Sequence, residues 1–201
     1  MKILYWILIP IGAYLIGSLN FSIVLSRVLL GKDIRKHGSG NAGATNMTRV
    51  FGWFAGVATL AFDILKAILA MWIGKKLFGE PGVCLAGMGV MLGHCFPVFY
   101  HFHGGKGIAT GAAVGFMIDW RVGISIIVAF LICALISKKV SVGSIIAAIW
   151  IVPSTCFFAP QPYLIALSVF AMVLAVSRHK ENIKRLIAGT EPDFRAGKGG
   201  K

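Results

Sequence analysis

The sequence predicts an all-α membrane protein, a bundle of about seven transmembrane helices, on three observations. Of its 201 residues 57% are hydrophobic and only 13% charged, with a mean hydropathy of +0.82, whereas charged residues make up about 25% of an ordinary soluble domain. Its apolar runs are long, closely spaced and joined by short polar connectors. Its Lys and Arg residues concentrate in alternate connectors, the asymmetry that orients a chain in a bilayer.

A spanning helix needs about 20 mainly apolar residues, and the candidates run over 3–26, 52–73, 82–100, 107–118, 122–137, 143–159 and 162–177. The first, in MKILYWILIPIGAYLIGSL, has too long an apolar run for a signal peptide and precedes its basic cluster, so it is expected to be an uncleaved span. The second carries Asp63 and Lys66 near its middle. Charges at that depth are costly, but a pair three residues apart can neutralise itself on one helix face, which leaves structural and functional roles equally open.

The fourth candidate is short. At 1.5 Å per residue its 12 residues reach about 18 Å of a hydrocarbon core about 30 Å thick. Seven crossings put fifteen Lys and Arg residues on one face, from Arg27 to Lys201, and leave Lys2, Lys75, Lys76 and Arg121 on the other. If the fourth segment dipped in and returned, Lys138, Lys139 and the basic C-terminus would change sides, against the positive-inside tendency. It is therefore expected to cross, with the N-terminus outside, the C-terminus inside, and the preceding HFHGGKG stretch sunk so that Lys106 lies in a polar pocket. Gly52 with Gly56, Gly89 with Gly93, and Gly111 with Gly115 are small faces that would let helices pack closely.

One membrane domain over 1–194 is expected, followed by a disordered basic tail, 195–201. Cys84, Cys95, Cys133 and Cys156 are scattered singly through apolar stretches, as inert buried thiols are. The formal charge of +13 sits between the spans, where it attracts anionic head groups or phosphorylated substrates rather than nucleic acid.

Three polar clusters share one face. GSGNAGATNMTR, 38–49, offers Ser39, Asn41, Thr45 and Asn46 as hydrogen-bonding side chains. Its glycines let backbone amides turn toward an anion, and Arg49 closes it with a planar fork suited to phosphate. GHCFPVFYHFHGGKGIATG, 93–111, sets Lys106 among Gly104, Gly105 and Gly107. Tyr100 and Gly107 stand where a Walker loop needs Gly and Ser or Thr, so ATP hydrolysis of that kind is excluded, although amides plus one ammonium can still hold a phosphate. His94, His101 and His103 lack a nearby carboxylate and a helical i, i+4 pairing, which points to interfacial histidines rather than metal ligands. RHKENIKRLIAGTE, 178–191, read as a helix, aligns His179, Asn182 and Arg185 on one edge opposite Ile183, Leu186 and Ile187, the pattern of an interfacial C-terminal helix. The connector SKKVSVGS adds Ser141 and Ser144 to the same face.

In order, spacing and chain length these clusters resemble the three motifs of the PlsY family, the bacterial acyl-phosphate:glycerol-3-phosphate acyltransferases, over about 36–194. The resemblance implies an enzyme of the bacterial inner membrane, N-terminus periplasmic and C-terminus cytoplasmic, that moves a fatty acyl group from acyl phosphate to the 1-hydroxyl of glycerol 3-phosphate. It implies no cofactor, no metal and no obligate protein partner. Carried over by motif position, Ser39, Arg49, Lys106, His179 and Asn182 would be catalytic. Asn41, Asn46, Gly104, Gly105, Gly107, Ser141, Ser144 and Arg185 would bind substrate, and Glu191 would be structural. No Ser-His-Asp arrangement is evident, so direct attack of the glycerol hydroxyl is expected, with a substrate phosphate oxygen taking the proton and His179 as the alternative base. The short fourth span and sunken basic groups also suit an anion transporter, which stays open at this stage.

Overall fold

The computed structural model describes residues 2–193, so the 195–201 tail lies outside the described residues. All regular elements among them are helical: α1 Lys2–Ser18, α2 Phe21–Leu30, α3 Ala44–Phe51, α4 Trp53–Cys95, α5 Ile108–Ile118, α6 Trp120–Ser137, α7 Val140–Phe158, α8 Pro162–Arg178 and α9 Lys180–Ile187.

Local chemistry sets the breaks. The first expected span divides at Leu19 and Asn20, because the Asn20 side chain accepts from Ile23 N and caps a fresh helix, α2, which Gly31 ends in the left-handed conformation. The 43-residue α4 is two arms joined at Phe78 and Gly79, where Gly79 takes φ +62° and Pro81 enters the first turn of the second arm. The arms cover the second and third expected spans, the latter ending at Cys95 rather than residue 100.

Four helical stretches are long and apolar enough to cross a bilayer, or five with the bent pair α8 and α9 counted as one, and α5 is shorter at 11 residues. The sides of the bundle expose large apolar groups, among them Phe54, Leu69, Trp72, Leu135 and Val173, while its interior uses small ones such as Ala67, Ala70, Ala86, Ala113 and Ala171. That inversion suits lipid as solvent, and the chain is an integral membrane protein.

The three proposed glycine pairs behave differently. At Gly89 and Gly93 an added Cβ would meet the backbone of Pro10 and Tyr14, and at Gly17 it would meet Val90, so α1 and the second arm of α4 touch backbone to backbone. Gly115 abuts Ile126, and Gly56 abuts Thr48, whereas Gly52 ends α3 at φ +87° with open space beside it. Connectors 31–52, 96–107, 138–139 and the segment from His179 gather at one end of the bundle, and the turns at 78–81, 119 and 159–161 at the other.

Candidate active site

The first cluster folds around a single amide. Asn46 is buried, its Oδ1 accepts from Ser39 N at 2.9 Å, and its Nδ2 donates to Ile34 O, His37 O and Asn41 O at 3.3, 3.0 and 3.0 Å. With both amide hydrogens and one Oδ1 lone pair engaged by the loop, Asn46 shapes the site from within. The shaped loop leaves Ser39 and Arg49 exposed and Asn41 half-buried.

The second cluster doubles back on the end of α4. Gly104 N donates to Cys95 O at 3.2 Å and Gly105 N to His94 O at 3.1 Å. A Cβ on Gly104 would meet His94 O and Pro97, and one on Gly105 would meet the His94 ring and Ala42 O. These glycines therefore serve close packing, and the phosphate cradle expected from their amides is not formed, because both amides already have acceptors. Gly107, at φ +81°, opens α5 directly after Lys106. The turn is fastened from the first connector: Arg35 Nη1 donates to Tyr100 O at 2.9 Å and His103 O at 3.3 Å, while Arg35 holds the Asp33 carboxyl well below its ordinary range against the opposing effect of burial.

The third cluster bends by 58° between α8 and α9. Glu191 returns beneath α9, buried, accepting from Asn182 Nδ2 and Arg185 Nε at 2.7 Å each. Lys139 Nζ donates to Glu191 O at 2.8 Å, which fastens the connector between α6 and α7 to the same place. Burial works to raise the Glu191 carboxyl, but the nearby Ser141 hydroxyl, Asn182 and Arg185 outweigh it and hold the group below its ordinary value.

These clusters meet at Lys106, whose Nζ donates to Asn182 Oδ1 at 2.5 Å. Burial, opposed by Glu191 and reinforced by Arg185, Arg178 and Arg49, brings the Lys106 ammonium down to about 8. His179 is buried and its Nδ1 lies 2.7 Å from Ala175 O. A carbonyl can only accept, so Nδ1 carries the proton and Nε2 is the free position of a neutral ring. Burial and the neighbouring Lys106 and Arg178 push the ring's pKa down, against the Ala175 carbonyl and Glu191.

Lys106, His179, Asn182, Arg185 and Ser141 thus come together, with Arg49 close enough for its charge to act on Lys106. Ser144 is buried at the same end with its hydroxyl turned to Val140 O of its own helix at 2.9 Å, and no hydrogen bond among the described residues joins the Ser39 or Asn41 side chain to the group. Sequence reasoning missed Arg178, whose Nε donates to Gly105 O at 3.3 Å and whose guanidinium lies 4.8 Å over the Phe96 ring. Its adjacency to His179 was the available signal. It also missed the Asp33 and Arg35 clamp, foreshadowed by the Asp-x-Arg spacing ahead of Gly38.

An apolar helical bundle with Arg49, Lys106, Arg178 and Arg185 about the Glu191 carboxylate defines an integral membrane protein with a cation-rich centre at one end. The model of the glycerol-3-phosphate acyltransferase family matches residues 7–189, and the chain belongs to that family. It is 40% identical over 188 residues to the glycerol-3-phosphate acyltransferase of Thermoanaerobacter pseudethanolicus, covering 94% of this chain and 95% of that one. It is 39% identical over 189 residues to that of Burkholderia pseudomallei, covering 92% and 93%. Among solved structures it resembles PlsY, an integral membrane glycerol 3-phosphate acyltransferase, in its glycerol 3-phosphate form, with TM-score 0.90, 35% identity and coverage of 94% and 96%. The lysophosphatidic acid form of PlsY matches with TM-score 0.87, 34% identity and coverage of 95% and 96%.

Proposed function

We propose that the chain transfers a fatty acyl group from acyl phosphate to the 1-hydroxyl of glycerol 3-phosphate, giving lysophosphatidic acid and inorganic phosphate. The observation that carries this is the excess of cations about Lys106, Arg49 and Arg178 beside one carboxylate already engaged by Asn182 and Arg185. Relatives named for the acyl transfer, and a solved neighbour in glycerol 3-phosphate and lysophosphatidic acid forms, support it.

An acyl phosphate is a mixed anhydride with a good leaving group, so holding two phosphorylated reactants together and stabilising anionic oxygen can supply much of the rate. The glycerol oxygen attacks the acyl carbonyl carbon, the carbon–oxygen bond to phosphate breaks, and the hydroxyl proton passes to a phosphate oxygen of a bound substrate. Protonated Lys106 with Arg49 and Arg178 offsets the charge on the phosphates. His179, with Nε2 open, is the alternative base. Ser39, Asn41 and Ser144 lie within the same three motifs and are proposed to complete substrate binding.

One membrane domain of seven crossings, α1 with α2, the two arms of α4, and α5 to α8, accounts for the helices. The end that carries Lys106 then faces the cytoplasm of a bacterial inner membrane, by charge asymmetry. A long acyl chain gains about 0.8 kcal/mol per buried CH₂, so donor and product stay in lipid while their phosphates meet water beside α9.

Purified protein given acyl phosphate and glycerol 3-phosphate should release lysophosphatidic acid and phosphate, and acyl-CoA should not replace the donor. Anion flux into liposomes without either product would assign the protein to transport instead.

A further inference from the structure

The proposed transfer leaves unused a buried polar group within the bundle. Asp63, Lys66 and His94 are 1%, 5% and 3% exposed. Lys66 Nζ stands 2.7 Å from Asp63 Oδ1, an ion pair whose angle departs from that of a hydrogen bond, and 3.2 Å from His94 Nδ1. Lys66 also donates to Leu19 O at 2.8 Å, meeting a carbonyl left over where α1 ends. Asp63 Oδ2 has no donor among the described residues.

A self-neutralising pair would explain Asp63 and Lys66 alone. It does not explain the third member or where the contacts lead. His94 Nδ1 faces both members of the pair, 3.2 Å from Lys66 Nζ and 3.5 Å from Asp63 Oδ1, and the ring's Nε2 is the atom against which a Cβ on Gly105 would collide. His94 O takes the Gly105 amide at 3.1 Å, Arg178 takes the Gly105 carbonyl at 3.3 Å, and Gly105 is bonded to Lys106. On the other side, Leu19 precedes Asn20, whose Nδ2 donates to Ala42 O at 3.4 Å. That same carbonyl would lie 2.7 Å from a Cβ on Gly105. The contacts close into a ring that joins the first connector, with Arg49 beyond it, to the peptide that carries Lys106.

We propose that Asp63, Lys66 and His94 are positioning residues that set the separation of Lys106 from the first connector through Gly105 and Ala42. This rests on the acyl transfer proposed above. Burial of an ion pair is no gain in stability by itself, since apolar residues of similar volume often serve as well or better, so its presence here is accounted for by placement rather than by cohesion. Removing it lets the Lys106 segment relax toward water, and small displacements of a positioned group cost rate steeply.

The test compares wild type, the double variant Asp63→Leu/Lys66→Met, and His94→Gln, which removes the ring packed against Gly105 and leaves the ion pair. Lysophosphatidic acid formation and thermal unfolding are measured on each across pH. The double variant should keep or raise its melting temperature while kcat falls about 10-fold or more, and His94→Gln should fall similarly. In both, the alkaline limb set by Lys106 at about 8 should move upward as the ammonium regains water. Unchanged kcat and an unmoved limb in either folded variant would overturn the proposal, and so would loss of the fold in both, which would make the network a stability element. Failure of the wild type to form lysophosphatidic acid would instead defeat the proposed function.

Discussion

The two ends of the bundle carry the same small fastener and only one carries a cation-rich centre. Asp33 and Asp119 each cap a helical turn, accepting from the amide two residues on at 3.0 and 2.8 Å and from the Nε of Arg35 or Arg121 at 3.0 and 2.9 Å. Each arginine spends a further donor on a distant carbonyl, Tyr100 for Arg35 and Phe158 for Arg121. What differs is the company. At the far end Lys75 and Arg121 share a depression with Glu80 and Asp119, so the charges balance. At the other end Arg49, Lys106 and Arg178 exceed the carboxylates near them, and the clamp fixes the turn that leads to Lys106. A clamp of this kind is a general way to tie loops in place, and chemistry requires cations left without counter-charges.

The largest test of that contrast removes the centre. Lys106→Ala and Arg49→Ala should each lower turnover about 100-fold or more, as loss of one anion-stabilising donor does, while unfolding curves stay near wild type. A normal rate in either would erase the functional difference between the ends. Next, Arg35→Ala should reduce kcat about 10-fold by loosening the turn before Lys106, whereas Arg121→Ala, which breaks an exposed ion pair of the sort that contributes little, should leave it unchanged. Equal losses would mean that both clamps act only on stability.

A pH series should separate activity from stability at the same residue. Lys106 has its folded pKa lowered to about 8, so its ammonium is present below that value and kcat/KM for the free enzyme should fall as pH rises through it. Between about 8 and the ordinary lysine value the unfolded chain binds the proton and the folded chain does not, so this group's contribution to stability should rise over the same window. The smallest effect belongs between the ends: Gly12→Ala, with nothing near enough to touch the new methyl, should leave rate and melting temperature as they are, or raise the latter slightly through helix propensity.

Long periodic apolar runs made the all-helical membrane class legible, and motif composition brought Lys106, His179, Asn182 and Arg185 onto one list before their contacts were known. Gly104 and Gly105 were harder, because a glycine that frees an amide for a ligand and one that admits a neighbouring backbone look identical in sequence, and only the acceptors His94 O and Cys95 O tell them apart. Asn46 illustrates the same limit, since its amide turns inward to four backbone partners. Asp63 and Lys66 could be paired from their spacing, but His94 is 28 residues from Lys66 and reaches it only because α4 folds back at Gly79.

The backbone seam between α1 and the second arm of α4 has a consequence for how such a chain can drift. At Gly17, Gly89 and Gly93 an added methyl meets peptide carbonyls rather than a rotatable side chain, and a peptide has nowhere to go. At Phe54, Leu69, Trp72 or Leu135 the neighbour is outside the protein, and fluid hydrocarbon reshapes itself around any apolar group of any size. Substitution should therefore run freely among bulky apolar residues on the perimeter and stall at the smallest residues within, whereas the tolerant perimeter of a water-soluble protein varies among polar residues instead.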